Sequence, residues 1–344
     1  MKLSFGFLPV PGSTGELAAT LERLGFDAVT LADSPLLAGE IHGQLMIAAG
    51  ATKRLEIVSG LTNSVTRDAS VTASAFAALQ IESDGRGVCG IGRGDSAVFK
   101  IGKRPDTLAL FERYLVSLRH YLADGMKLPS GDLSRIEWLA SSTYGKKPVP
   151  IEIAPSGPAM LALAGRHADR ISLAVGAAPD YVGDYVRRAR AAVEVAGRDP
   201  DSVTYGAYIP LVANDDTAIA RYEVRRIASA FVHFSAMKGQ RRDRTDERMP
   251  DSLRLAGNLV GSRYSYQDDP YKNQVDDGPL SVMSDEFIDW FTIAGPQNHV
   301  VDRLRALSAV GIDYVHILSG HHALPPEVRD KNIELLGNIA SLGI

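Results

Sequence analysis

The chain is poor in cysteine, in aromatic side chains and in long apolar runs. Its 344 residues include one cysteine, Cys89, and aromatic residues make up 7% with two tryptophans. A single cysteine excludes an internal disulfide framework and any multi-cysteine metal site. Cys89 falls in an apolar strand pattern and is expected to be buried and inert. No stretch approaches the roughly 18 apolar residues of a membrane span. Lys2 and the short run Leu3–Leu8 resemble a signal peptide only faintly. The run is too short, Pro9 and Pro11 break it, and no cleavage-like site follows. A cytoplasmic protein without a membrane partner is expected. Charge of either sign is not in excess: the net value is −4, which makes no case for nucleic acid. Two catalytic signatures are also missing. There is no Gly-x-Ser-x-Gly elbow for an α/β-hydrolase nucleophile and no Gly-x4-Gly-Lys-Ser/Thr loop for nucleotide hydrolysis.

What is present is a repeating alternation of short apolar strands and amphipathic helices. Strand patterns run over 3–8, 26–32, 55–61, 87–92, 149–154, 169–175, 203–212 and 313–319. Helical spacing covers 14–25, 43–51, 69–81, 104–123, 157–167, 178–196, 215–234, 297–310 and 326–342, with stops at Gly25, Gly197 and Gly311. Residues 125–148 read as irregular. Eight strands alternating with helices predict an α/β fold, a (β/α)8 TIM barrel forming a single domain over 1–344. A doubly wound open sheet is the alternative. Residues 235–285 break the rhythm after strand seven and are expected to form an insertion acting as a lid. Its basic run, Arg241-Arg242-Asp243-Arg244, is interleaved with acids and reads as a solvated loop.

In an α/β barrel, ligands bind at the carboxyl ends of the strands. Several candidates stand there. Asp33-Ser34 follow strand two, with a turn or helix cap as the plain alternative. Gly60-Leu61-Thr62-Asn63 end strand three. Gly90-Ile-Gly92-Arg-Gly94-Asp95 end strand four. This lacks the last glycine of a dinucleotide fingerprint, and suits instead the close approach of a ligand to backbone, with Asp95 as a carboxylate at the mouth. Ala154-Pro155-Ser156-Gly157-Pro158 join strand five to a helix, where free backbone N–H groups and the Ser156 hydroxyl suit a phosphate. Gly176 follows strand six. His321 and His322 follow strand eight. Adjacent histidines on an extended chain point apart, so no metal site is expected, although one could touch substrate. His42 is weighted similarly.

The segment "GLTNSVTRDASVTASAFAALQIESDGRGVCGIGRGD" resembles the luciferase-like monooxygenase superfamily, within it the branch of methylenetetrahydromethanopterin reductase and related deazaflavin-dependent enzymes. "SLAVGAAPDYV", around Gly176, is also similar to that branch. The resemblance implies a dimeric (β/α)8 barrel using coenzyme F420 (8-hydroxy-5-deazaflavin), with flavin mononucleotide (FMN) as the alternative. It implies an oxidoreductase moving a hydride between the cofactor and a small organic substrate. An FMN-dependent monooxygenase and a non-catalytic cofactor-binding barrel are the other readings. By the same resemblance, the Gly60–Leu61 bond is a non-prolyl cis peptide bulging against the cofactor ring. Asp33 and Ser34 border the ring region, and Ala154, Ser156, Gly157 and Pro158 match a phosphate loop. Members oxidising glucose 6-phosphate carry a histidine where Ser34 stands. Others carry a glutamate where Pro9-Val10-Pro11 stand. Asp95 is then the candidate general acid by elimination, beside Asp33.

Overall fold

The computed structural model describes residues 1–94, 96–141, 147–235 and 283–344. Eight parallel strands close into a barrel. In chain order they are Lys2–Phe7, Ala28–Leu31, Glu56–Ser59, Gly87–Gly92, Ile151–Ile153, Arg170–Leu173, Thr204–Ala213 and Tyr314–Leu318, here called strands one to eight. Each pairs with its sequence neighbours, and strand eight returns to strand one with Lys2 opposite Tyr314 and Gly6 opposite Leu318. The closed order leaves none of the eight barrel strands at an edge of the ring, and the expected TIM barrel is what forms. The expected insertion lies after strand seven; apart from Ser235 and residues 283–285 it falls outside the described residues, as does the basic run.

The helices begin and end where the chain supplies partners for their free backbone groups. Asp68 accepts from the Ser70 amide at the start of Ala69–Glu82, and Thr107 accepts from the Leu110 amide at the start of Leu108–Leu122. That Thr107 cap, and not Arg104, sets where the long helix begins. Glu40 caps Ile41–Ala51 through the Gly43 amide, which starts that helix two residues earlier than the apolar spacing suggests. The irregular stretch after residue 125 holds a small hairpin, Met126–Lys127 with Leu133–Ser134, and one helical turn, Glu137–Ala140. Sequence periodicity also missed the helix Asp285–Phe291 and the strand Ile293–Gly295, which extends the sheet beside the end of strand seven. Among the described residues no helix is long and apolar enough to cross a membrane.

Strands turn alternate residues to opposite faces. Outward positions such as Phe5, Val29, Leu31, Ile57, Ile151 and Ile171 are fully buried beneath the helices. Cys89 is among the fully buried residues, and burial pushes its thiol up. The inward positions differ from the branched apolar filling usual in such barrels. Ser4, Thr30, Glu152, Ser172, Tyr208, Tyr314 and His316 face one another across the interior, all buried. At the amino end, Arg170 closes the barrel with a two-pronged contact to Glu56 of 2.7 and 3.1 Å, and Lys2 adds a third bond at 2.9 Å. Burial works to raise the Glu56 carboxyl, but Arg170 and Lys2 outweigh it and hold it below its usual range.

Candidate functional site

Above this polar layer, the inward residues become small on strands one, three, four, five and six, while Pro210 and Leu318 stand at that level on strands seven and eight. Alternation places Gly6, Gly60, Gly92, Ala154 and Ala174 at or beyond the carboxyl ends, and all but Gly6 are partly exposed although their chain neighbours are mostly buried. Residues this small leave a recess at the carboxyl end of the barrel, the end at which such folds bind ligands.

Strand three shapes one wall. It pairs with strand four through Ile57 and Val58, steps out at Gly60–Leu61, and returns as Thr62–Asn63 to pair with Ile91 and Gly92. The Gly60–Leu61 peptide is cis, as the resemblance implied. Glycine is required at position 60 by close approach. A Cβ there would stand 2.0 Å from Thr30 Cγ2 and 3.4 Å from the Tyr208 hydroxyl. The Leu61 side chain lies over strand four, within reach of Gly90 and Gly92.

Asp33 meets this segment from strand two. Its Oδ2 accepts 2.7 Å from the Thr62 hydroxyl and 3.2 Å from Arg67 Nη1. Arg67 also bonds Glu40 at 2.5 Å. Partial burial acts to raise the Glu40 carboxyl. The amides of Gly43 and His42, with Arg67, overcome that and hold it at about 2. Sequence reasoning quoted Arg67 within a motif but gave it no role; here it ties strand two to the loop after strand three.

Beside this cluster, the Asn63 amide nitrogen and the Ser34 hydroxyl have no hydrogen-bond partner among the described residues. The Asn63 Oδ1 accepts from the Val65 and Thr66 amides at 3.0 and 2.9 Å, which fixes the amide orientation and leaves Nδ2 a buried donor without a hydrogen bond among the described residues. The Ser34 hydroxyl is likewise buried and unpaired there, while the Ser34 carbonyl closes the following turn through the Leu37 and Ala38 amides. The turn expected as the plain alternative at Asp33-Ser34 thus forms through the Ser34 carbonyl and leaves the hydroxyl unused. A second unpaired hydroxyl, Ser319, follows strand eight. Buried polar groups are rarely left unsatisfied, at a cost of roughly 1–3 kcal/mol each. A ligand carrying acceptors and donors into the recess would satisfy such groups.

Across the barrel, Gly157 is the N-cap of the helix Pro158–His167, with Pro158 in the first turn and no side chain capping the free amides. Uncapped N–H groups at a helix start suit an anion. Gly176, which follows strand six, has φ of 95° and the Phe291 ring only 2.7 Å from where a Cβ would stand. Only glycine fits that turn.

Other sequence candidates fall elsewhere. Asp95 lies outside the described residues. Arg86, in the "DGRG" segment, is structural: its guanidinium donates to the carbonyls of Ala49, Thr52, Leu55 and Ser83, tying off the end of helix Ile41–Ala51. His321 packs edge-on against Phe5, and His322 against Phe7. Phe5 and Phe7 are outward positions of strand one, so these rings turn away from the barrel interior. Burial, with His322 and Arg329, depresses His321 to about 4. His42 packs on Phe76 and lies 3.3 Å from Glu40. An open cavity of about 500 Å3, between the loop 64–69 and helix Leu108–Leu122, is lined by Arg67, Arg113, Asp106 and Tyr114 and includes no residue that sequence reasoning assigned to a site.

Comparison with known proteins matches these features to one family. A model described as luciferase-like monooxygenase matches residues 7–314. The 5,10-methylenetetrahydromethanopterin reductase of Methanolobus tindarius is 26% identical over 345 residues, covering 97% of this chain and 98% of that protein. The F420-dependent glucose-6-phosphate dehydrogenase of Nakamurella multipartita is 30% identical over 274 residues, 76% of this chain and 80% of that one. The solved structure of the coenzyme F420-dependent tetrahydromethanopterin reductase from Methanopyrus kandleri superposes with a TM-score of 0.75 at 22% identity, over 99% of both chains, a likeness of fold. With its closed barrel, its stepped third strand and a family match over nine-tenths of its length, the chain belongs to the luciferase-like monooxygenases.

Proposed function

We propose that the protein is an oxidoreductase that uses coenzyme F420 to move a hydride to or from a small organic substrate. The observation that carries this reading is the wall built by Asp33, Thr62 and Arg67, with the buried Asn63 amide and Ser34 hydroxyl left unpaired beside it. A planar heterocycle with polar edges offers what those atoms lack. The relative named for F420 supports the choice of cofactor over FMN.

In this reading bound F420 supplies a two-electron carrier, and the protein supplies position and exclusion of water. Asp33 holds the Thr62 hydroxyl and Arg67 in place, so its part is to order the wall. Asn63 Nδ2 donates to the ring edge, and the Ser34 hydroxyl bonds it as well. Leu61, packed over strand four, and Gly92 line the face against which the ring lies. The free amides around Gly157, with Ala154, Ser156 and Pro158 shaping the turn, hold the phosphate. Gly176 lets the neighbouring turn pass close to Phe291. Asp95 is the proposed source of the proton that accompanies hydride transfer. Fluorescence titration with F420 and with FMN tests the assignment. F420 is expected to bind the more tightly, and tight FMN binding with none of F420 would replace this reading with the monooxygenase one.

The same reading includes a homodimer. The outer faces of helices Ile41–Ala51 and Ala69–Glu82 carry no charge until Glu82 apart from His42, and leave Met46, Ile47 and Val71 36%, 47% and 54% exposed. Apolar helices of this kind are normally covered. Light scattering is expected to give twice the chain mass, and a monomer at micromolar concentration would contradict it.

A further inference from the structure

The polar layer inside the barrel is not used by the functional reading above. Glu152, on strand five, is 0% exposed, and His316, on strand eight, 1%. Their Oε1 and Nε2 atoms stand 2.9 Å apart, off the line of an aligned hydrogen bond. The same carboxyl oxygen accepts from the Tyr208 hydroxyl at 3.0 Å. The Tyr208 ring stacks on His316 with centroids 4.4 Å apart, and Tyr314 meets that imidazole edge-on. On its other side, His316 Nδ1 lies 2.7 Å from the Thr30 hydroxyl, which is 2.6 Å from that of Ser4. Below, Ser172 bonds the Tyr314 hydroxyl, and Arg170 lies over the Tyr314 ring while holding Glu56. These are the titratable, charged and polar side chains facing Glu152 and His316 from strands one, two, three, six, seven and eight.

Burial alone would raise the Glu152 carboxyl, yet His316, Ser172 and Arg170 hold it below its usual range. Burial and Glu152 push the Tyr208 hydroxyl well up, so Tyr208 keeps its proton and donates. A buried carboxylate is an expensive way to fill a barrel, and apolar residues of similar volume commonly do as well or better for stability. Its place in the fold is what distinguishes it. Thr30 and Tyr208 are the two side chains that come up against Gly60, with 2.0 and 3.4 Å between their nearest atoms and a Cβ placed there. Nothing separates the network from the backbone that steps out of strand three.

We propose that Glu152, His316 and Tyr208 form a positioning network that holds Thr30 and Tyr208 against Gly60 and so fixes the segment Gly60–Asn63 for the ring. The proposal rests on the cofactor reading for the identity of the ring, but the positioning itself is independent of it. Glu152 anchors the network through its charge: it fixes the Tyr208 hydroxyl directly and Thr30 through His316. None of these residues touches the reacting atoms.

Glu152→Gln removes the charge at constant shape, and Tyr208→Phe removes one hydroxyl beneath Gly60. Amide hydrogen exchange in the cofactor-free protein reads the positioning. At least tenfold faster exchange at Leu61, Thr62 and Asn63 is expected in both variants, with strands one and six as protected as before. Unchanged exchange at those three amides in a folded variant overturns the proposal. Should Glu152→Gln fail to fold, Tyr208→Phe decides by the same criterion. The F420 dissociation constant adds a readout that a purely structural role would not move. Tyr208→Phe and Glu152→Gln are expected to bind several-fold more weakly, and Glu152→Asp, which keeps the charge, to recover part of the loss. Glu152→Asp as weak as Glu152→Gln would overturn the role given to its charge. Wild-type protein that binds no F420 would fault the cofactor reading alone, since the exchange data still decide the network.

Discussion

Gly157→Asp separates fold from binding, because the two are expected to respond in opposite directions. Gly157 is the N-cap of Pro158–His167 in an extended conformation, and no side chain satisfies the free amides. Aspartate is a better N-cap than glycine by a few tenths of a kcal/mol, and a carboxylate near the positive end of a helix adds roughly 0.3–1 kcal/mol. The variant should therefore be as stable as the parent or about 0.5 kcal/mol more so in urea. The same carboxylate would occupy the place proposed for the phosphate. Two unit charges about 4 Å apart repel by about 4 kcal/mol at an effective dielectric of about 20, which is close to a thousandfold in affinity. Gly157→Asn caps the helix without the charge and should lose far less affinity. Urea denaturation and fluorescence titration with F420 on the three proteins test this, and the defect in Gly157→Asp should shrink as salt rises. An Asp variant that is stable and binds as tightly as the parent would show that the phosphate is held elsewhere, and the assignment of Ala154, Ser156, Gly157 and Pro158 would fall with it.

Gly176→Ala should destabilise the protein by about 2 kcal/mol, since the residue has φ of 95° and its Cβ would meet the Phe291 ring at 2.7 Å; a urea midpoint equal to the parent's would contradict the geometry. His321 titrates near 4 in the fold, through burial first, and near 6.5 when unfolded. Because the folded value is the lower one, its contribution is present above pH 6.5 and is lost as pH falls from 6.5 to 4. A shift of this size is worth about 3 kcal/mol, discounted to about 2 for the partial exposure of the ring. His321→Phe should lose less stability than the parent between pH 6.5 and 4.5, and identical pH profiles would count against it.

Most of the barrel could be read from the chain because its signals are local. Gly25, Gly197 and Gly311, taken from sequence as helix stops, all have positive φ after a helix, and strand four spans the predicted residues. The ends of strands two, three and five were legible for the same reason, as Asp33, Thr62, Asn63 and Gly157 each follow an apolar run by one to three residues. What the pattern could not show is partnership across the barrel. Thr30 meets His316 at a separation of 286 residues, and Glu152 meets Tyr208 at 56. Nothing in either neighbourhood names the other. A signal did exist: Glu152 between Ile151 and Ile153, and His316 between Val315 and Ile317, are polar residues at the centre of strands otherwise fit for burial.

The two histidines after strand eight show the opposite failure. Alternation tells which way a side chain points only while the strand lasts. Strand eight ends at Leu318, and Gly320, at φ of 62°, turns the chain before His321. The rings then find Phe5 and Phe7 on the outside of strand one, while His316, inside the same strand and read only as part of an apolar run, takes the buried place beneath the recess. In this barrel, position at a strand end marks the residues proposed to meet a ligand, and polarity within a strand marks those proposed to hold them there. A reading that looks only past the strand ends finds Asp33 and Asn63 but passes over Glu152, whose carboxylate reaches the same recess through Tyr208 and Gly60.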